Sequence, residues 1–318
     1  WSRCPSDDRP GDRPCTRGDT LGLLDGRVAV ITGSGRGIGR EFALSMASEG
    51  ASSVINDGGV SLDGQGTEDD PAAQTCREIE AMGGRAVPSY DSVSDFDAAG
   101  RIIQTAIDAF GKIDILVNNA GIVRDRSLLK MSAEDYDAVV KVNQYGTFNC
   151  ARHAAPHMKE AGYGRIINVT SQAGLRGNFG QTNYGSAKAA IMGLTYIWAI
   201  ELGRYGITVN AMSPAGATRM TEELFARTGQ APPPEANPAL NAPMVTWLAS
   251  EEAAHVNGQI LGRTDFAYTL YRNPLQIAYM YREGGWDVQG VSENFNKIFA
   301  QQLQPVGMAM PGGMEHKK

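Results

Sequence analysis

Cysteine is scarce in this chain: 318 residues carry four, Cys4, Cys15, Cys76 and Cys150. They stand apart, with no C-x-x-C pair and no histidine pattern nearby, so neither a zinc site nor a disulfide framework is suggested. A reducing compartment fits, and the cytoplasm is the expectation. Long apolar runs are missing too. The best of them, "IMGLTYIWAI" at 191–200, stops at Glu201, short of the roughly 20 residues that cross a bilayer. Excess positive charge is absent as well, the net charge being -6. Neutralising a phosphate backbone takes clustered Lys and Arg, so nucleic acid is not an expected partner, and neither is a membrane. Residues 1–21 open on "WSRCPSDDRPGDRPCTRGDT", without a Met and dense in Pro, Asp and Arg. They read as a flexible tail or an appended remnant.

What is present is an ordinary globular composition, 42% hydrophobic and 20% charged, in a chain long enough for one large core or two modest ones. From residue 27 the pattern becomes regular. "RVAVITG" is a β-branched run ending in glycine, and "IGREFALSMASEG" follows with helical spacing and a glycine stop. "SSVIND", a Gly- and Asp-rich loop, and the helix-like "PAAQTCREIEAMGG" come next; "AVPSYD", "IDILVNNAG", "GRIINVTS" and "GITVNAMSP" are further strand-like runs. Repeated βα units predict an α/β fold, a doubly wound parallel sheet with helices on both faces. Such sheets bind ligands beyond the carboxyl ends of their strands. Those ends carry Thr32-Gly33, Asp57, Asp91, Asn118 to Gly121, Thr170-Ser171 and Pro214 to Gly216. Each set also makes turns, but six in one register at one edge point to a site.

"TGSGRGIG" sits between the first strand and the first helix. There glycines admit a pyrophosphate to the backbone, and the helix terminus supplies N–H donors. Gly33, Arg36, Gly37, Ile38 and Gly39 are the candidates in this turn. Asp57 ends the second strand, where an acid accepts hydrogen bonds from ribose hydroxyls and repels a 2′-phosphate. Arg36, a guanidinium able to pair with that phosphate, argues the other way. The balance favours NAD over NADP. "YGSAK" places Tyr184 and Lys188 at i and i+4, on one face of a helix, which serves either packing or chemistry.

Taken together, "TGSGRGIG", "NNAG" at 118–121, Asn143, Ser171 and "YGSAK" resemble, in order and spacing, the short-chain dehydrogenase/reductase family. "VINDGG", "YDSV", "GIVRDRS" and "GNFGQTNY" look further like the dehydrogenase module of multifunctional (3R)-hydroxyacyl-CoA dehydrogenases, also called 17β-hydroxysteroid dehydrogenase type 4. The resemblance covers about residues 22–265, which it implies to be one Rossmann-type domain, followed by a C-terminal extension at 266–318. The extension is not expected to be a hydratase domain, and it is read as a tail unlike the module. The resemblance also implies a nicotinamide cofactor, a homodimer or homotetramer, and interconversion of a secondary alcohol and ketone. The substrate is then large and mostly apolar, a 3-hydroxyacyl-CoA or a hydroxysteroid, in a greasy pocket. By the same resemblance Asn143 holds a water that links Lys188 to solvent, and Lys188 also binds ribose. Asp91 and Ser92 would contact adenine, and Asn118, Ala120 and Gly121 fall in the family's sheet-stabilising and ribose-contacting turn. Pro214, Gly216 and Thr218 would lie beside the nicotinamide.

The chemistry needs a base for the hydroxyl proton, and an ordinary Tyr, with a pKa of about 10, is protonated at neutral pH. Lys188, with the positive nicotinamide ring, is expected to favour the Tyr184 phenolate; a shift of about three units takes roughly 4 kcal/mol. Ser171 would hydrogen-bond the substrate oxygen. A serine nucleophile lacks a partner, since His153 and His157 fall on what reads as an exposed helix face. Competing readings are an NADPH-dependent 3-oxoacyl thioester reductase, favoured by Arg36, and a cofactor-binding scaffold without activity. The aromatic-rich extension, with Tyr268, Tyr271, Tyr279, Tyr281 and Trp286, needs burial, by packing on the core or a subunit or by covering the pocket. If Asp57 sets the cofactor preference, Asp57→Ser should narrow the ratio of kcat/KM for NAD over NADP by about tenfold or more, about 1.4 kcal/mol; an unchanged ratio assigns the preference elsewhere.

Overall fold

The computed structural model describes residues 22–59, 70–216, 232–272, 274–304 and 306–307; Cys4, Cys15 and Thr218 lie outside them. The chain alternates strand and helix as the periodicity predicts. β1 (Val28–Thr32), α1 (Gly37–Ser48), β2 (Ser52–Asn56), α2 (Pro71–Ala81), β3 (Arg85–Ser89), α3 (Phe96–Phe110) and β4 (Ile115–Asn118) make the first half. In the second half α4 (Ala133–Val140) runs through one wide π turn (Lys141–Tyr145) into α5 (Gly146–Ala161). β5 (Gly164–Val169), the short α6 (Gln172–Arg176), α7 (Thr182–Gly203), β6 (Ile207–Ser213), α8 (Ala242–Leu248), β7 (Ile260–Thr264) and β8 (Ala267–Tyr271) follow, then α9 (Val288–Ile298). Helix ends carry local signals. Asp95 accepts from the Ala98 N–H at 2.7 Å to cap α3, which stops at Gly111 in the left-handed region.

The eight strands form one sheet in the order β3-β2-β1-β4-β5-β6-β7-β8, parallel throughout except for β8. β1, β4, β5 and β6 are buried at every position, because helices cover both faces. Alternate residues feed two cores. Ile115 and Val117 join Phe42, Met46 and Ile79 under α1 and α2, while Leu116 joins Ile102, Ile103 and Met158 under α3 and α5. The strand order reverses between β1 and β4, which opens a crevice at their carboxyl ends.

Past residue 265 the sheet continues. The boundary expected there falls in the turn of a hairpin, and β8 runs back along β7 from Ala267, paired with Thr264, to Tyr271, paired with Ile260. Burial of the extension's aromatics within one chain is not what is found: Tyr279 is 73% and Tyr281 77% exposed, because 274–287 runs over the surface without a core of its own. Tyr268 and Tyr271 do find partners, since β8 holds them against the body. The Tyr268 hydroxyl donates to the Leu240 carbonyl at 2.8 Å, and Tyr271 meets Gln172.

One close approach positions everything at the end of β5. A Cβ on Gly174 would lie 2.7 Å from the backbone of Lys188 and of Ala189, so α6 reaches α7 only because residue 174 lacks a side chain. Gly174→Ala is therefore expected to push α6 outward, costing roughly 1–3 kcal/mol of stability and lowering kcat at least tenfold while dinucleotide affinity stays within about twofold. Steady-state kinetics and cofactor titration of that variant check it; wild-type kcat would show that the contact is not positional.

Candidate active site

At the carboxyl ends of β1 and β4 the backbone itself forms the walls. Gly33 and Gly37 have positive φ, 62° and 56°, a conformation that other residues adopt only at a cost. A Cβ on Gly33 would stand 2.8 Å from Ala120 Cα, and one on Gly39 would stand 2.2 Å from the Gly33 carbonyl oxygen. The glycines therefore let the β1–α1 turn touch the turn after β4. Asn119 latches the two: its Nδ2 donates to the carbonyls of Thr32 (2.9 Å) and Gly33 (2.8 Å), and its own N–H and that of Ala120 donate to Thr32 Oγ1 at 3.0 Å. Arg36, Gly37, Ile38 and Gly39 line the cleft above this latch.

Asn118, expected among the cofactor contacts, does not line the cleft. It points into the sheet, 3% exposed, and donates to Asn168 Oδ1 at 2.9 Å, because a strand's alternation sends neighbouring side chains opposite ways. Asn119 takes its place. Asp57 does line the cleft, and its carboxylate is fixed by backbone: Oδ2 accepts from the Gly35 N–H (3.1 Å) and Oδ1 from the Gly59 N–H (2.9 Å). Gly35 is a further requirement, since its Cβ would meet Asp57 Oδ2 at 2.9 Å. Asp91 and Ser92 sit on the rim; Asp91 Oδ1 already accepts from Arg101 Nε at 2.8 Å, and Ser92 Oγ pairs with Ser94 Oγ at 2.9 Å.

The other end of the same cleft, whose volume is about 940 Å³, holds Ser171, Tyr184, Lys188, Gly121, Pro214 and Gly216. Ser171 caps α6, its Oγ accepting from the Ala173 N–H at 3.2 Å, and hydrogen-bonds the Tyr184 phenol. Lys188 is 3% exposed; its Nζ donates to the Val169 carbonyl at 2.8 Å and lies 5.6 Å from the Tyr184 ring centre. Asn143 sits in the wide turn between α4 and α5, fully buried. Its Nδ2 donates to the carbonyls of Ile122 (2.9 Å) and Val139 (3.0 Å), whereas its Oδ1 has no protein partner. A Cβ on Gly121 would approach that Oδ1 at 2.5 Å and Lys188 Nζ at 3.6 Å, so the two polar atoms converge on one glycine. His153 and His157 stay away from the cleft. His153 is half-buried rather than exposed, its ring tilted by 48° against Phe96 with 4.4 Å between ring centres.

The Pro214–Gly216 turn is fixed from behind. Asn241 brackets Ala215, accepting from its N–H at 3.0 Å and donating to its carbonyl at 2.8 Å. The Arg263 guanidinium, 2% exposed, donates to Asn241 Oδ1 (3.0 Å), the Glu235 carbonyl (2.8 Å) and the Ala215 carbonyl. Neither Asn241 nor Arg263 carries a local sequence signal. Only the placement of β7 beside β6 reveals them.

The sequence model of the short chain dehydrogenase family matches residues 27–229. The chain belongs to the short-chain dehydrogenase/reductase family. It is 44% identical over 247 residues to peroxisomal multifunctional enzyme type 2 of Drosophila melanogaster, covering 78% of this chain and 40% of that one, so it spans less than half of that relative's length. It is 37% identical over 292 residues to a hydroxyacyl-CoA dehydrogenase of Mycobacterium tuberculosis, covering 87% and 90% respectively. Among solved structures, a short chain dehydrogenase from Mycobacterium avium superposes with a TM-score of 0.80 at 42% identity, over 90% of this chain and 99% of that one.

Without a cofactor, burial governs the proton affinities of Tyr184 and Lys188. Desolvation raises the Tyr184 phenol; the Ser171 hydrogen bond pulls it down and the Asp125 carboxylate adds to the rise. Burial lowers Lys188 to about 7. Removal from water dominates because no carboxylate among the described residues pairs with the ammonium, whose hydrogen bond goes to a neutral carbonyl. Unfolded, Lys188 holds its proton up to its ordinary 10.5; between about 7 and 10.5 the unfolded chain binds a proton that the folded chain has released, so this group adds stability as pH rises. Wild type should therefore gain on Lys188→Met between pH 7 and 9, by on the order of 2 kcal/mol. Denaturant unfolding of both proteins at the two pH values measures it, and a gap independent of pH contradicts the burial assigned to Lys188.

Proposed function

We propose that this dehydrogenase transfers a hydride between NAD and the C3 alcohol or ketone of a 3-hydroxyacyl thioester of coenzyme A. The observation that carries the reading is the convergence of Ser171, Tyr184 and Lys188 at one end of a cleft whose other end is the glycine turn and Asp57, with Asn143 Oδ1 buried behind Gly121 at the same end. Those residues fit a dinucleotide. The positive-φ glycines admit a pyrophosphate to the N-terminus of α1, and Asp57, held rigid by two N–H groups, suits ribose hydroxyls and repels a 2′-phosphate. Nicotinamide, when bound, supplies the hydride acceptor and a positively charged ring.

Each residue then has a task. Tyr184 takes the hydroxyl proton in oxidation and returns it in reduction. Ser171 turns its single hydroxyl proton from the Tyr184 phenol to the substrate oxygen and steadies the charge that grows there. Lys188 carries the positive charge that favours phenolate, and its own depressed pKa lets it pass a proton on near neutrality. Asn143 Oδ1, a buried acceptor without a protein partner, is suited to a water joining Lys188 to solvent. The substrate end is mixed rather than wholly greasy: Asp125, Gln172, Asn178 and Gln181 share it with Ile122 and Val142. An acyl chain on an amide-bearing pantetheine arm matches such a wall better than a steroid, which offers apolar faces and few polar groups.

Tyr184→Phe removes one oxygen and keeps the ring, so kcat with a 3-hydroxyacyl-CoA should fall by about 10³-fold while the NAD dissociation constant stays within about twofold. Turnover near the wild-type rate in that variant removes the mechanism. Wild-type turnover of hydroxysteroids but of no acyl-CoA removes the substrate.

A further inference from the structure

We propose that Gln172 is a specificity-determining residue of this site, that it recognises a carbonyl oxygen flanking the reacting carbon, and that Tyr271 is its positioning residue. The inference rests on the acyl-thioester reading above and names the part of the substrate that is read. Gln172 follows Ser171 directly and opens α6, and its side chain lines the same cleft. Its Nε2 donates to the Tyr271 phenol oxygen. An amide nitrogen carries two protons, so one N–H remains after that bond, as does Oε1. A 3-hydroxyacyl thioester presents two oxygens, the C3 oxygen that reacts and the C1 carbonyl oxygen two carbons away. With Ser171 and Tyr184 on the first, the spare N–H of the next residue suits the second.

Tyr271 is well placed to hold that amide still. It comes from β8, the antiparallel strand at the edge of the sheet, and its ring lies against Gly262 of β7, where a Cβ would come within 2.7 Å of it. The glycine is the seat of the ring. The C-terminal segment touches α6 a second time, through the Gly307 N–H on the Arg176 carbonyl at 2.7 Å. Stability does not require the Gln172 bond. α6 is already fixed by the Ser171 cap, by the Gly174 contact with α7, and by the Thr170 hydroxyl on the Lys188 carbonyl at 2.7 Å. A flexible glutamine tied back by a phenol while lining the cleft is therefore read as an oriented donor rather than a brace.

The test uses the full chain in the reducing direction with NADH and two substrates, a 3-oxoacyl-CoA and a simple ketone of similar length that lacks the C1 carbonyl. Tyr271→Phe, which keeps the ring on Gly262, and Gln172→Ala are each expected to raise KM for the 3-oxoacyl-CoA by about tenfold with kcat within about twofold. The double variant should lose no more than either single one, because both changes remove one unit. Ketone kinetics, NADH affinity and melting temperature should not move. Equal losses on both substrates, additive losses in the double variant, or unchanged KM for the thioester would each overturn the proposal. If Tyr271→Phe yields no soluble protein, the substrate split of Gln172→Ala decides alone. Wild type inactive on every 3-oxoacyl-CoA instead defeats the substrate reading, a result distinct from an active wild type with unaffected variants.

Discussion

The hydrogen bond from Lys188 Nζ to the Val169 carbonyl, 2.8 Å long and shut away from water, is the contact on which the catalytic end depends. It ties the first turns of α7 to the last residue of β5, and the Thr170 hydroxyl returns the tie to the Lys188 carbonyl at 2.7 Å. Helix and strand are thereby locked in register one turn from Tyr184 and one residue from Ser171. An ammonium in that position satisfies one donor and pays for its burial with a pKa near 7. Geometry and proton affinity thus come from one arrangement.

The cofactor end obeys a different constraint, close approach of backbone. Gly33 and Gly39 stand where any side chain would collide with the turn after β4, and Asn119 closes the gap with hydrogen bonds to both carbonyls at the end of β1. The crevice arises because β1 lies between β2 and β4, so the chain crosses to opposite sides of the sheet from that strand. The third wall, Pro214 to Gly216, takes its support from distant parts of the chain. A buried guanidinium and one asparagine hold its backbone, both from late in the sequence.

These differences explain what could be read beforehand. Gly33, Asp57, Ser171 and the Tyr184–Lys188 pair were legible because each sits at a strand end or on one helix turn, where local pattern and position say the same thing. The strands through "GITVNAMSP" were legible from their buried apolar runs. Which of Asn118 and Asn119 faces the cleft was not legible, since two adjacent asparagines look alike until the pleat of β4 sends one into the sheet and the other toward the glycine turn. Arg263, Asn241 and the Gln172–Tyr271 pair join positions 22 and 99 residues apart, and no local periodicity encodes such contacts. β8 was hidden for a related reason: "AYTLY" follows its turn without the apolar alternation of a buried strand, because it is an edge strand, largely exposed. Burial itself was the least legible quantity, and without a cofactor it raises the Tyr184 phenol and lowers the Lys188 ammonium.

The central claim is that Tyr184 is a poor base in the protein alone and a usable one once a positive nicotinamide ring joins Lys188. Ultraviolet titration of phenolate, taken as the difference between wild type and Tyr184→Phe, isolates this residue from the other ten tyrosines. Run without cofactor and again with saturating NAD, it should show ionisation above the ordinary tyrosine range in the first case and a marked downward shift toward neutral pH in the second. A Tyr184 that ionises below the ordinary range without cofactor, or whose titration NAD leaves in place, would contradict the account.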